Sequence, residues 1–257
     1  MFFHKELPIS RNAAALTEPP KVDHPEISPY TPEQARAFLE AVRGDRLEAL
    51  FTVAVSLGLR QGEIFGLRWS DVDLERATLT VRYALQRLNG EPCFVEPKTK
   101  LSRRTINLPA VTVSTLYAHR NRQSEERAVA GTRWQDWGVV FPSTIGTPME
   151  ACNLTHRFHK ITADAKLPKI RFHDLRHTAA TLLLAQGVHP RLVMDTLGHS
   201  SISLTMNTYS HVLPAMRAEV ADRMNSILDV VSKPDQEPVS ALVATSMATA
   251  PSAELVQ

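Results

Sequence analysis

Apolar residues recur at helical spacing from Thr31 onward. Ala35, Phe38, Leu39 and Val42 fall at three- and four-residue intervals, the period that gathers side chains on one face of a helix. Thr31 stands before this stripe as an N-cap, Pro32 suits the first helical position, and Gln34 completes a capping box. Gly44 and Asp45 break the pattern. A second stripe of Leu47, Leu50, Phe51, Ala54 and Leu57 ends at Gly58, which can close the helix in the left-handed conformation. Ile64, Phe65 and Leu67 predict a short third helix. The chemistry then changes to β-formers. Residues 77–85 carry Thr78, Thr80, Val81 and Tyr83. Asn89-Gly90 is a tight-turn pair, and Phe94-Val95 and residues 104–107 predict two further short strands.

Helical spacing returns over residues 110–130. The far end of that helix carries Arg120, Arg122, Glu125, Glu126 and Arg127, which suits a surface helix with ion pairs of small individual worth. Trp134 and Trp137 flank an extended Val139-Val140-Phe141 and are expected to pack at the core or its rim. A further helix is predicted over 150–165, with Arg157, His159 and Lys160 available for phosphates. Met216, Val220, Met224, Ile227 and Leu228 give a last apolar face over about 214–229. Residues 1–30, with Pro19, Pro20, Pro25 and Pro29, read as a linker. Residues 31–230 form the predicted domain. Residues 231–257 lack periodicity and are expected to be a disordered tail.

The chain has 257 residues, 43 % hydrophobic and 22 % charged, which suits an ordinary soluble globular domain. Its net charge of +2 says little about nucleic acid, because the distribution of charge matters more than the sum. Two cysteines, Cys93 and Cys152, supply neither a disulfide framework nor a CxxC metal pair, and a reducing, cytoplasmic setting is expected. No run approaches the roughly 18 apolar residues of a membrane span.

The stretch 173–209 concentrates the candidate chemistry. His173 and Arg176 sit three apart in a helical pattern, His199 follows in a Leu-Gly-His-Ser turn, and Tyr209 comes later. His173 and His177 also have a metal-ligand spacing. Arg176 on the same turn would repel a cation and there is no HExxH, so neither metal nor cofactor is expected. Arg60 on its own reads equally as a solvated loop arginine paired with Glu63, His199 as a turn residue, and Tyr209 as a packing tyrosine. The run 97–104, PKTKLSRR, holds four cations and fits a solvated hairpin tip or one that contacts phosphates through Lys100, Arg103 and Arg104. Arg171 is a further candidate for DNA contact.

Three segments together resemble the tyrosine recombinase (phage integrase) family: GLRQGEIFGL around Arg60, the PKT of residues 97–99, and HDLRH followed by LGHSS and Tyr209. The resemblance runs from about residue 10 to 229. It implies a mainly α catalytic domain with a small three-stranded antiparallel β-sheet (α+β). It also implies site-specific DNA cleavage and rejoining through a 3′-phosphotyrosine intermediate.

The implied roles match what the side chains can do. Arg60 and Arg176 would clamp the phosphate, since a guanidinium is planar, forked and permanently charged. Tyr209 would be the nucleophile. A phenol with an ordinary pKa near 10 needs help at neutral pH, and His173 would accept or share its proton. Lys98, with Lys100 as competitor, would protonate the departing 5′ oxygen. His199 would donate to the phosphate, and Glu63 would orient Arg60. The implied partners are double-stranded DNA and three further copies of the chain, as a homo-tetramer on two duplexes, with accessory DNA-bending proteins; the implied location is the nucleoid.

Family members carry a helical core-binding domain before the linker, and residues 1–30 resemble the end of such a domain. A remnant integrase that binds DNA weakly without recombining is therefore an alternative. A type IB topoisomerase-like enzyme, which shares the chemistry, is another.

Overall fold

The computed structural model describes residues 29–96, 103–198 and Met224. The chain opens with α1 (Pro32–Ala41) and α2 (Glu48–Leu57). Thr31 Oγ1 accepts from the Gln34 amide at 3.2 Å and Gln34 Oε1 accepts from the Thr31 amide at 2.9 Å, so the capping box forms as the sequence predicts. Helix α2 is buried almost all round, as a helix at the centre of a core must be. It ends at Gly58 with φ +61°, where a Cβ would lie 2.5 Å from Leu197 Cδ2. Only glycine combines that left-handed turn with so close a neighbour. Arg60 then caps α3 (Gln61–Phe65).

Two small antiparallel sheets follow. The three-stranded sheet has the order β1 (Val72–Asp73), β2 (Thr78–Val81), β5 (Arg104–Asn107). Strands β3 (Ala84–Leu88) and β4 (Glu91–Val95) make a separate hairpin, with Leu85 opposite Phe94. The expected sheet is there, but its strands differ from the expected ones. Residues 77–85 are split between two sheets, Phe94-Val95 belongs to the hairpin, and the third strand is Val72–Asp73. Gly66 accounts for part of the split. A Cβ there would sit 2.8 Å from the Leu85 amide nitrogen and 2.9 Å from Tyr83 O, so the backbone of α3's end and the start of β3 nearly touch. Asn89 (φ +52°) and Gly90 (φ +88°) make the tight turn of the hairpin, both in the left-handed region that such two-residue loops require.

Helix α4 (Ala110–Ala130) covers α2, burying Thr112, Leu116 and His119. Its ion pairs are of two kinds. Arg127 with Asp136 is exposed, as expected of a surface helix. Glu126 instead takes Arg46 in a half-buried fork at 2.6 and 2.7 Å. Trp69 Nε1 donates to Gln123 Oε1 at 2.6 Å, and Trp137 lies 6.3 Å from Phe94, ring centre to ring centre. Helix α5 (Ala151–Asp164) leads to α6 (Asp174–Ala185) and α7 (Pro190–Leu197). The aromatic centre of the core joins α1, α2, α5 and the approach to α6: Phe38, Phe51, Phe158 and Phe172 meet at centroid separations of 5.6 to 6.3 Å, mostly in the tilted and edge-to-face arrangements that aromatic rings favour. This packing fixes where α6 begins, and so where His173 and Arg176 stand. Among the described residues no helix is long and apolar enough to cross a membrane.

Candidate active site

The end of α2, the start of α3, the start of β5, the first turn of α6 and the end of α7 are tied together by long-range hydrogen bonds, and the half-exposed Arg60 marks the crevice between them. Arg176 is carried inward on α6 and its side chain is buried; Nη1 donates to Gly58 O at 2.7 Å, across 118 residues of sequence. Gly58 is the C-cap of α2, so one of the carbonyls a helix end leaves without an intrahelical partner is used to aim a guanidinium. Two residues on, Arg60 turns back. Its Nη1 donates to Glu63 Oε1 at 2.9 Å and its Nη2 to Gly198 O at 3.1 Å, the latter 138 residues away. Its side chain remains 41 % exposed, so part of the guanidinium faces open space.

Glu63 is buried and serves two arginines. Oε1 accepts from Arg60 Nη1 and from Arg104 Nη1 at 3.3 Å; Oε2 accepts from the Arg60 amide at 3.0 Å and from Arg104 Nη2 at 3.0 Å. Burial pushes its carboxyl up, but the Arg104 fork, the Arg60 amide and the Arg60 charge outweigh that and hold it below the usual carboxylate range. Glu63 is therefore a fixed anion hydrogen-bonded to both Arg60 and Arg104.

His173 caps α6 at the mouth of the crevice and is exposed. Withdrawal from water and the adjacent Arg176 hold its imidazole below the ordinary histidine range; Arg171 and Arg60 add to the effect while Asp174 opposes it. At neutral pH it is an uncharged base. His177 packs edge-on to it at 5.5 Å and is shifted downward too, by burial first and then by His173. Asp174 is buried; its Oδ2 accepts from the Arg171 amide at 2.8 Å, and Arg171 closes a side-chain ion pair on it at 2.8 Å. Among the described residues no three His, Cys, Asp or Glu side chains converge as a metal site.

The structure thus brings together Arg60, Glu63, His173 and Arg176. Lys98, Lys100, His199 and Tyr209 lie outside the described residues, as do residues 1–28 and, Met224 apart, the helix and tail expected after Tyr209. The candidate phosphate contacts divide. Arg103 and Lys160 are exposed, and His159 is half-buried beside Phe158. Arg171 is exposed but occupied with Asp174. Arg157 is committed to Asp45, in a different cavity lined by residues 44–47 and 143–150.

Arg104 departs furthest from its expected place on the surface. Its side chain is only 7 % exposed, and besides Glu63 it donates from Nε to Thr196 O at 2.6 Å. The period of two in β5 carried that signal: Arg104 and Ile106 share the inward face while Thr105 and Asn107 point out. The roles of the Gly58 and Gly198 carbonyls had no comparable signal, because every residue has a carbonyl.

Residues 30–216 match the phage integrase family. A XerC-like tyrosine recombinase of Caldanaerobacter subterraneus subsp. tengcongensis is 38 % identical over 214 residues, covering 79 % of this chain and 55 % of that protein. An integrase of Saccharopolyspora erythraea is 28 % identical over 270 residues, 85 % of this chain and 62 % of the relative. Among solved structures, the Tn1549 transposon integrase in complex with circular intermediate DNA aligns with a TM-score of 0.64 at 27 % identity, over 80 % of this chain and 68 % of that one. The XerA recombinase has the same fold, with a TM-score of 0.61 at 23 % identity over 79 % of this chain and 66 % of its own. The chain spans about half the length of the curated relatives it matches. With the family match extending from Tyr30 past the end of the described crevice, this chain belongs to the phage integrase family.

Proposed function

We propose that this chain is a site-specific DNA strand transferase working through a 3′-phosphotyrosine. The observation that carries the reading is the convergence of Arg60, Arg176 and a low-pKa His173 on one crevice, from segments more than a hundred residues apart. Two forked cations beside an uncharged base suit a phosphodiester that must gain negative charge while a nucleophile loses a proton.

In the proposed reaction Tyr209 Oη attacks phosphorus and His173 takes the phenolic proton. The bond from phosphorus to the 5′ oxygen breaks, and Lys98 delivers a proton to that oxygen. Arg60, Arg176 and His199 hold the non-bridging oxygens. The phosphotyrosyl ester keeps the phosphodiester's energy, so rejoining to a different 5′ hydroxyl is the same step reversed and needs no nucleotide. Double-stranded DNA is the substrate, with four protomers on two duplexes and DNA-bending proteins as accessories. The XerC-like relative and the Tn1549 integrase–DNA complex support DNA as the partner.

The test uses the full chain and a pool of nicked duplexes of randomised sequence, from which a cleaved end cannot rejoin. A denaturant-stable protein–DNA adduct is expected, and Tyr209→Phe should abolish it while leaving duplex binding within about twofold. An adduct that survives in Tyr209→Phe would remove Tyr209 as the nucleophile.

A further inference from the structure

We infer that Arg104 is a positioning residue for strand transfer, one that locks Arg60 and the end of α7 into a single unit. The inference rests on the proposed function. It starts from a closed circuit of contacts. Arg60 donates to Glu63 and to Gly198 O; Glu63 accepts the Arg104 fork; Arg104 Nε donates to Thr196 O, two residues before Gly198. Gly198 has φ +69°, and a Cβ there would lie 2.7 Å from Arg104 Nη1. The guanidinium of Arg104 therefore lies directly against the turn that ends α7.

Burial separates the two arginines by task. Arg60 keeps 41 % of its side chain exposed on the crevice, whereas Arg104 keeps 7 % and is directed at protein groups. Arg104 so acts through Arg60 and through the end of α7 rather than by touching DNA. Three elements that share no local sequence, α3, β5 and α7, are held in one relative position by one planar fork. A lysine cannot reproduce this, because a single ammonium does not span both carboxylate oxygens and the Thr196 carbonyl. The position also matters for the chain on its other side, since β5 begins at Arg104 and the segment carrying Lys98 runs into it through Arg103.

The experiment compares the parent chain with Arg104→Lys and Arg104→Gln. It measures duplex affinity, the single-turnover rate of phosphotyrosyl adduct formation, its pH profile and the melting temperature. Arg104→Lys should bind duplex within about twofold of the parent and melt close to it, yet form adduct about 100-fold more slowly, the loss expected when a reacting group is misplaced by an ångström. In Arg104→Gln the acid limb of the rate profile should also move to higher pH. Glu63 would then keep only Arg60 from its own helix start, with Arg176 and His173 of α6 in the same crevice and nothing charged from β5.

A parental rate in Arg104→Lys would overturn the inference. So would a rate loss matched by an equal loss of DNA binding or of melting temperature, since that is what plain destabilisation gives. A parent chain that forms no adduct with any duplex would count against the functional reading instead. Amide exchange then still judges Arg104: in Arg104→Gln, exchange at 194–198 and 60–64 should quicken about tenfold while α4 is unchanged, and unchanged exchange at 194–198 would sink the positioning role.

Discussion

Two buried carboxylates, Glu63 at the start of α3 and Asp45 in the turn before α2, each gather arginines. Around Asp45, Arg157 pairs with the side chain, Arg122 donates to the backbone carbonyl at 2.7 Å, and Arg46 forks onto Glu126. Glu48 takes the neighbouring Gly44 amide at 2.8 Å. Three arginines there face three acids, and the cluster ties α2, α4 and α5 together beside a cavity of about 650 Å³. Around Glu63 the sum is different. Among the described residues, Arg60 and Arg104 pair with Glu63 and Arg171 pairs with Asp174, with Arg176 on the same helix turn as Asp174. Arg60, still partly exposed, and the buried Arg176 lie close enough to His173 to depress its pKa. The same residue types strap three helices together in one place and, in the other, set two arginines beside an uncharged histidine, and what differs among the described residues is how many acids stand against them.

The largest effect expected from breaking this contrast is at Arg176. Arg176→Ala should reduce adduct formation by about 10²- to 10³-fold, the usual loss when one preorganised donor to a transition state is removed. Arg176→Lys should recover little of it, because a lysine cannot hold the Gly58 carbonyl and present a second donor at once; full recovery with lysine, measured by single-turnover cleavage, would refute bidentate clamping.

Next in size is the stability contrast between the two acids. Glu63→Gln strands Arg104 in the interior and should lower unfolding free energy by about 3 kcal/mol. Asp45→Asn leaves Arg157, which is half-exposed, to solvent and should cost about 1 kcal/mol. Denaturant titration of both variants checks the order, and a reversed order would show that the Asp45 cluster is the more deeply committed of the two. The folded pKa of Glu63 is depressed, so its contribution is present above the unfolded carboxylate pKa of about 4.3 and disappears as pH falls through the lower folded value. The gap between Glu63→Gln and the parent should therefore close in acid.

The smallest expected effect concerns His119, which is buried between Trp69 and Phe141 and whose Nε2–H donates to Val140 O at 2.6 Å. Burial depresses its pKa, partly offset by that hydrogen bond. The unfolded chain then binds more protons than the native one below about pH 6.5, so stability falls as pH drops through that region. His119→Gln should flatten the slope of unfolding free energy between pH 7 and 5. It should not remove it, because His173 and His177 are shifted the same way. An unaltered slope would mean that His119 takes up its proton equally readily in the folded and unfolded chains.

The helical part of this fold was legible because its signals are local. Thr31, Pro32 and Gln34 announce α1, and Gly58 announces the end of α2, each through the geometry of its own few residues. The sheet was misread in detail because strand pairing is decided elsewhere. Nothing within residues 77–85 says that Gly66 will press on Tyr83 and Leu85 and divide the run between two sheets. Of the candidate site, Arg60, His173 and Arg176 stand out in the sequence through their local motifs, and Glu63 through its place beside Arg60. Arg104 stands in a run of cations, which points to the surface, whereas its period-two relation to Ile106 points inward, and the inward signal is the one the fold obeys. The carbonyls of Gly58 and Gly198, which aim the two arginines, leave no trace in a list of side chains.

The contacts that aim Arg60 and Arg176 reach across 138 and 118 residues, and that span bears on synthesis. During translation, α2 and α3 emerge long before α6 and α7, and contacts of such separation form only after the intervening chain is available. Until α6 has left the ribosome, Arg60 has Glu63 beside it and no second guanidinium opposite. A nascent chain therefore presents only one of the two arginines, and the proposed phosphate clamp is assembled only once α6 and α7 have been made.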